Sequence, residues 1–347
     1  MCNIAGYVGE KRAAPILIQM IRKQEGLDGG FYTGIYTHNV AYIDYHMIKG
    51  ELSTLLSKTD AEALEGNMGI AHSRTPSGGD SSWSHPFVTE RDGRVKLSYV
   101  ANGALGLFKD RNDEYSKIAD RLVADGFDIP CKLRLSENAY NRLSSGENVH
   151  MSDVMCQLIY YHKQGCANTA EAMTEAFCEM PGIIVGLAIE EESPDRIFFS
   201  RINMPMFVGF DVQGAYLATS PIAFPESVKS YELLPPLSSG VVFKDRYEVR
   251  GYENFRTPLE LFGEETVAFA EGIVLDVLKK EQSGFPELRK ELLKHLPQGV
   301  ITQENAIIYM ALSRLLEKGK ILALHTRRAV GADTAPKINF ELRKEKS

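Results

Sequence analysis

Cys2 stands directly after Met1 and opens the apolar run Cys2-Asn3-Ile4-Ala5-Gly6-Tyr7-Val8-Gly9. Aminopeptidases trim Met ahead of a small side chain, which would leave Cys2 with a free α-amine beside its thiol. The amine titrates near ~8 and the thiol near ~8.5, so close to neutral pH one takes the proton of the other. Such a residue is a nucleophile carrying its own base. By position alone, a free cysteine is more often an inert small hydrophobe. Four later segments weigh against that reading.

In Gly69-Ile70-Ala71-His72-Ser73-Arg74-Thr75-Pro76-Ser77-Gly78-Gly79 a strand delivers Arg74 to a turn rich in hydroxyls and glycines. A guanidinium offers a planar fork of donors that suits a carboxylate; the plainer alternative is a surface ion pair. Ser82-Trp83-Ser84-His85-Pro86-Phe87 holds His85 on a proline-stiffened loop, where a structural role is favoured over a catalytic one. The apolar Tyr99-Val100-Ala101 ends at Asn102-Gly103. An Asn amide with a following Gly N–H makes a two-donor oxyanion hole, although the same dipeptide also turns hairpins. Ser152-Asp153 starts a helix, where the carboxylate suits either a substrate ammonium or an ordinary cap.

Taken in order, these segments resemble the class II glutamine amidotransferases, the N-terminal-nucleophile family with a glutaminase domain. The resemblance covers roughly residues 2–240; the nearest relatives look like the glutaminase half of glucosamine-6-phosphate synthase and the small stand-alone amidotransferases. Arg201 and Thr219-Ser220 also resemble later strands of that domain. It implies an α+β fold, the four-layer αββα sandwich with two facing antiparallel sheets between helices. It implies that Cys2 attacks the side-chain amide of glutamine and that Asn102 and Gly103 hold the oxyanion. It implies further that Arg74, helped by Thr75, Ser77 and His85, binds the substrate, and that Asp153 takes its ammonium. The chain departs from the family pattern at Asn3, where Gly is usual, at Thr75, where an aromatic is usual, and at Gly78, where His is common. Phe31 lies near an Asp of the synthase subfamily, and alignment on the apolar helix face would put Met151 in place of Asp153.

These residues need a scaffold, and 347 residues can bury a full core. The net charge of −7 argues against bulk nucleic-acid binding. No stretch approaches the ~20 apolar residues of a membrane span, and Glu10, Lys11 and Arg12 arrive too early for a secretory signal. Five irregularly spaced cysteines show neither a metal pattern nor a disulfide framework, which fits a reducing cytoplasm. No cofactor and no metal are expected, for there is no phosphate-cradling glycine loop.

Strands are expected over 4–8, within 34–45, and over 69–73, 96–101, 183–189, 196–200, 206–208 and 215–219. Helices are expected over 13–24, 113–124 and 153–161. Residues 130–152 read as a surface insertion. A domain over 1–250 is thus followed by an extension over 255–347, with helices over 263–280, 286–296 and 304–318 and β-type runs over 321–330 and 337–342. Helix, helix and hairpin resemble a winged helix. From Pro286 onward there are twelve Lys and Arg against seven Asp and Glu, a mild excess that fits a solvated tail as readily as a nucleic-acid or partner contact.

About a hundred tail residues cannot hold the isomerase half of a sugar-aminating synthase. The leading expectation is therefore a glutaminase feeding ammonia to a separate synthase subunit, as a homo-oligomer. A hydrolase of another γ-glutamyl amide is the second. A non-catalytic amino-acid sensor or scaffold with a DNA- or partner-binding tail is the third.

Overall fold

The computed structural model describes residues 2–76, 83–135, 140–253, 255–330 and 333–344. In chain order the elements are β1 (Asn3–Gly9), α1 (Ala13–Gln24), β2 (Tyr32–His38), β3 (Ile43–Lys49), α2 (Leu52–Lys58), β4 (Met68–Arg74), β5 (Phe87–Arg91) and β6 (Arg94–Ala104). Then come α3 (Asn112–Ala124), α4 (Met151–Lys163), α5 (Thr169–Glu179), β7 (Ile183–Glu190), β8 (Ile197–Arg201), β9 (Phe207–Asp211) and β10 (Gly214–Ala218). Three short strands follow, β11 (Tyr231–Leu233), β12 (Ser238–Val242) and β13 (Tyr247–Gly251). The C-terminal part is α6 (Glu264–Leu278), β14 (Ser283–Gly284), α7 (Phe285–Leu293), α8 (Glu304–Glu317), β15 (Ile321–Val330) and β16 (Asp333–Leu342).

Among the described residues two antiparallel sheets form the centre, one ordered β11-β9-β10-β1-β4-β2-β3 and the other β13-β12-β8-β7-β6-β5. The side-chain period of two explains how they face each other. Along β1, Ile4 and Val8 join the layer between the sheets with Ile70, Val100, Leu187, Phe199 and Leu217. Ala5 and Tyr7 point the other way, into a second core with Leu17 and Ile21 of α1. The outer face of the other sheet is covered by α3, α4 and α5 through Ala119, Leu158, Met173 and Phe177. Helix, sheet, sheet, helix is the four-layer α+β sandwich that the resemblance implied.

The expected surface insertion at 130–152 is corrected in part: Cys131, Leu143, Asn148 and Val149 are buried. Asn148 and Leu133 exchange backbone hydrogen bonds at 2.6 and 3.0 Å, which closes the segment on itself beneath α4.

The C-terminal elements follow the winged-helix order, with a small sheet β14-β16-β15. They do not hang free. Val267 and Val274 of α6, Leu288 of α7, Leu312 of α8 and Phe340 of β16 share one core with α1 and the outer face of β1. Nearly every residue of α8 from Glu304 to Leu315 is buried, so the helix that a winged helix would lay in a DNA groove faces protein instead. Arg201, fully buried at the end of β8, donates to the carbonyls of Met204 (2.7 Å) and Asn203 (3.1 Å) and to Oε1 of Gln303 (2.6 Å) ahead of α8. On the other flank the β15–β16 hairpin rests on the loop after α1, where the Ile338 N–H donates to the Gly26 carbonyl at 2.8 Å. No helix among the described residues is long and apolar enough to cross a membrane.

Candidate active site

The site lies at one end of the sandwich and follows from strand alternation. β1 and β4 pair with Asn3 opposite Ser73, so one step further along each strand come Cys2 and Arg74. Cys2 and Ile4 share a face of β1, while Ile70, His72 and Arg74 share a face of β4. Ile4, Ile70 and Val100 lie in the layer between the sheets, and Asn102 follows Val100 by two residues on β6. Cys2, His72, Arg74 and Asn102 therefore converge at the mouth of that layer, from strands far apart in sequence.

Asn102 accepts the Cys2 backbone N–H on Oδ1 at 3.1 Å. Its amide Nδ2 is buried and makes no hydrogen bond, a donor beside the nucleophile with nothing to donate to. Gly103 pairs with Ile184 of β7. A Cβ there would lie 2.7 Å from the Ile183 carbonyl oxygen and 2.8 Å from Ile184 Cγ1, so only glycine lets the strands meet at this point.

The Cys2 sulfur lies 3.9 Å from the Thr75 hydroxyl. Burial raises the thiol's pKa, but the neighbouring His72 imidazole and the Thr75 backbone outweigh it and lower the value to about 6. A thiol so placed is largely thiolate at neutral pH. His72 bridges the sheets, its Nε2 lying 3.0 Å from the Ala101 carbonyl, and its buried Nδ1 meets the geometry of no hydrogen bond. The sequence alone places His72 within the Arg74 motif and gives it no role. Its position two residues after Ile70 and two before Arg74 is the signal that it shares the inner face.

Arg74 is buried, donates to the Trp83 carbonyl at 2.9 Å and lies over the Tyr32 ring, 4.8 Å from its centroid. His85 stacks on His72 with ring centroids 4.0 Å apart and meets the edge of His150 at 5.4 Å. Burial, reinforced by neighbouring positive groups, holds both His85 and His150 well below the usual imidazole range. Both are neutral packing rings at pH 7, and both His85 nitrogens are buried without a hydrogen bond.

Asp153 is held by the chain's own groups. Its Oδ2 accepts the Cys131 N–H at 3.1 Å and its Oδ1 accepts Gln157 Nε2 at 3.2 Å. Burial raises its pKa to about 6. The carboxylate ties the 130–152 segment to α4. Ser77 and Gly78 lie outside the described residues.

Asn3, the departure in the first strand, has a task of its own. Its Oδ1 accepts the Gly29 N–H at 3.2 Å, and the neighbouring Gly30 N–H donates to Ser73 Oγ at 2.8 Å. Ser73 in turn donates to the buried carboxylate of Glu25 at 2.9 Å. The loop after α1 is thereby pinned to the strand that carries Arg74. Among the described residues no cluster of His, Cys, Asp and Glu is placed to hold a metal ion.

No family model matches the chain. It is 29% identical over 227 residues to the isomerizing glutamine–fructose-6-phosphate aminotransferase of Clostridium tetani, covering 63% of this chain and 31% of that protein. The enzyme of the same name from Caldanaerobacter subterraneus is 23% identical over 304 residues, 86% of this chain and 43% of the relative. The chain thus spans less than half the length of these curated relatives. Among solved structures, the glutamine phosphoribosylpyrophosphate amidotransferase of B. subtilis superposes with a TM-score of 0.59 at 14% identity, over 87% of this chain and 65% of the other. That likeness is one of fold.

Proposed function

The chain is a homologue of the class II glutamine amidotransferases with their N-terminal-nucleophile fold, and on that premise we propose that it hydrolyses the side-chain amide of glutamine at Cys2. The observation that carries the reading is the divided amide of Asn102: Oδ1 anchors the Cys2 nitrogen while Nδ2 stays buried and unpartnered. An idle donor beside a nucleophile is what an oxyanion hole requires before substrate arrives.

In this reading the α-amine of Cys2 is freed by processing. The sulfur attacks the amide carbon and forms the S–C bond. Asn102 Nδ2 and the Gly103 N–H hold the resulting oxyanion. As the oxyanion collapses the C–N bond breaks, and the proton carried by the Cys2 α-amine passes to the departing nitrogen, which leaves as ammonia. Water then attacks the thioester carbon and releases glutamate and the Cys2 thiol. The Arg74 fork, steadied by its stack on Tyr32, takes the α-carboxylate, and the Thr75 hydroxyl stays against the sulfur. Asp153 has no part in this reading.

Ammonia passes to a synthase unit outside this chain's described residues; sugar amination is one fate, supported by the names of the relatives. The protein acts in the cytoplasm as a homo-oligomer, and its five unpaired cysteines suit a reducing compartment. The test is glutamate release by the purified protein with its Cys2 α-amine free, with Cys2→Ala as control. Release above background that Cys2→Ala abolishes is expected; no release, or release indifferent to Cys2→Ala, overturns the proposal.

A further inference from the structure

The β15–β16 hairpin of the C-terminal part meets the Cys2 site through one loop, Gly26 to Phe31. Two glycines at the contact have positive φ, +97° at Gly26 and +106° at Gly30. A Cβ on Gly26 would lie 2.9 Å from Lys337 N, and one on Gly30 would lie 3.0 Å from Pro336 Cδ. Glycine alone lets hairpin and loop approach so closely. Arg328 stands opposite the buried Ala335 in the hairpin, so the two share a face. Its guanidinium lies over the Phe31 ring, 5.2 Å from the centroid, and its Nη2 donates to the Asp28 carbonyl at 3.4 Å. Arg327, one residue earlier on β15, pairs instead with Glu51 ahead of α2. On its other side the loop is bonded to the strands that carry the site. Besides the contacts of Gly29 with Asn3 and of Gly30 with Ser73, the Phe31 N–H donates to the Arg74 carbonyl at 3.0 Å. Tyr32, the following residue, lies opposite Arg74 in the β2–β4 pair and carries the Arg74 guanidinium on its ring. Phe31 is therefore the point at which the hairpin's cation and the backbone of Arg74 meet.

We infer that Arg328, supplied by the C-terminal hairpin, is a positioning residue of the Cys2 site: by holding Phe31 it fixes the backbone of Arg74, and with it the guanidinium fork offered to the substrate's α-carboxylate. The inference rests on the glutaminase reading and deepens it. Arg328 acts through Phe31 and Arg74, and the S–C and C–N steps described above are unchanged by it. A paired N–H fork grips a carboxylate only when both donors point at its oxygens, so a small shift of the Arg74 backbone loosens the grip. The clamp engages the amino-acid end of glutamine and not the reacting carbon. Its loss therefore falls on substrate binding, in KM, and leaves kcat nearly as it was.

The experiment compares wild type, Arg328→Met and Arg327→Met on glutamine and on L-glutaminamide, whose α-carboxylate is an amide, with thermal melts to confirm folding. KM for glutamine should rise about 3–10-fold in Arg328→Met with kcat little changed, the worth of a cation over a ring and its hydrogen bond. A merely structural loss would instead lower the melting temperature and the apparent kcat at unchanged KM. Arg327→Met removes a half-exposed ion pair of the same hairpin and should leave KM within about twofold. On L-glutaminamide, read as ammonia release, Arg328→Met and wild type should agree in kcat/KM within about twofold. Phe31→Leu gives the same reading should Arg328→Met not fold. An unchanged KM in Arg328→Met, an equal rise in Arg327→Met, or an equal loss on L-glutaminamide overturns the inference. Protection of Cys2 from iodoacetamide by L-glutamate separates this from a failure of the glutaminase reading, because it needs no turnover. A wild type that spares glutamine, yet is protected at lower glutamate concentration than Arg328→Met, sinks the glutaminase reading and keeps the clamp. Equal protection in the two proteins, or none in either, removes the clamp whatever the turnover.

Discussion

Arg201 and Gln303 meet across the boundary between the sandwich and its C-terminal extension, the guanidinium donating to the side-chain carbonyl at 2.6 Å. The other hydrogen-bond acceptors of Arg201 are the backbone carbonyls of Met204, Asn203 and Leu234. Burial draws its pKa down to about 9. A buried cation served by neutral oxygens is sensitive to the loss of any one of them. Gln303→Leu should destabilise the fold by about 1–3 kcal/mol, the cost of an unsatisfied buried donor. Urea denaturation of the whole chain measures it, and a loss below about 0.5 kcal/mol would show that the contact does not fasten the two parts.

The thiol of Cys2 should titrate early. Its alkylation rate by iodoacetamide should rise through about pH 6 in the wild type. Because the group is an acid with a lowered pKa, reactivity falls on acidification below that value and is sustained above it. In His72→Gln the neighbour that lowers the thiol's pKa is gone while burial remains, so the midpoint must move upward. A midpoint unmoved by His72→Gln would show that the imidazole does not set the thiolate.

Asn102→Ala removes both the anchor of the Cys2 nitrogen and the idle donor. Its kcat for glutamine should fall by roughly 10²–10³, the usual cost of an oxyanion donor, with a much smaller change in KM. Steady-state assay of glutamate release separates the two parameters. A variant impaired only in KM would place Asn102 in substrate binding instead.

Asp153 offers a test of opposite sign. Its pKa is raised from 3.8 to about 6 in the fold. The stability this confers is complete below the unfolded value and is lost as pH rises through about 6. Asp153→Asn cannot ionise, so its melting temperature relative to wild type should rise between pH 5 and pH 7.5. KM for glutamine should change by less than about threefold. A tenfold loss of affinity in the assay would instead make the carboxylate the partner of the substrate ammonium.

The mildly basic extension should not bind DNA through α8, since that helix is buried against the sandwich. Fluorescence anisotropy with a short duplex at low salt should show no binding, whereas salt-dependent binding would require the extension to undock.

Much of this architecture can be read from side-chain period. β1, β4 and β7 are short buried runs bounded by glycine or polar clusters, and α1 repeats its apolar residues at helical spacing from Ala13 to Gln24. Other elements leave little trace. α5 is Thr169–Glu179, rich in alanine, and its start is marked only by Asn168, which accepts the Glu171 N–H. β13 is Tyr-Glu-Val-Arg-Gly and mostly exposed, so no alternation announces it. Within the site, Cys2, Arg74 and Asn102-Gly103 are visible because few residue types do their chemistry. His72 is in plain view as a strand residue, but nothing local says that its ring reaches Ala101 across the layer. In sequence a carboxylate at a helix start, such as Asp153, looks the same whether it meets a ligand or the chain's own Cys131 N–H.

The burial of α8 has a consequence for how this protein can be cut. The sandwich alone looks like a portable module, ready to be expressed without the C-terminal helices and hairpin. Severed before α6, it would lose Gln303, one of the acceptors of Arg201, and the apolar cover of α1. A fragment cut at that boundary would report neither the stability nor the packing of the intact chain.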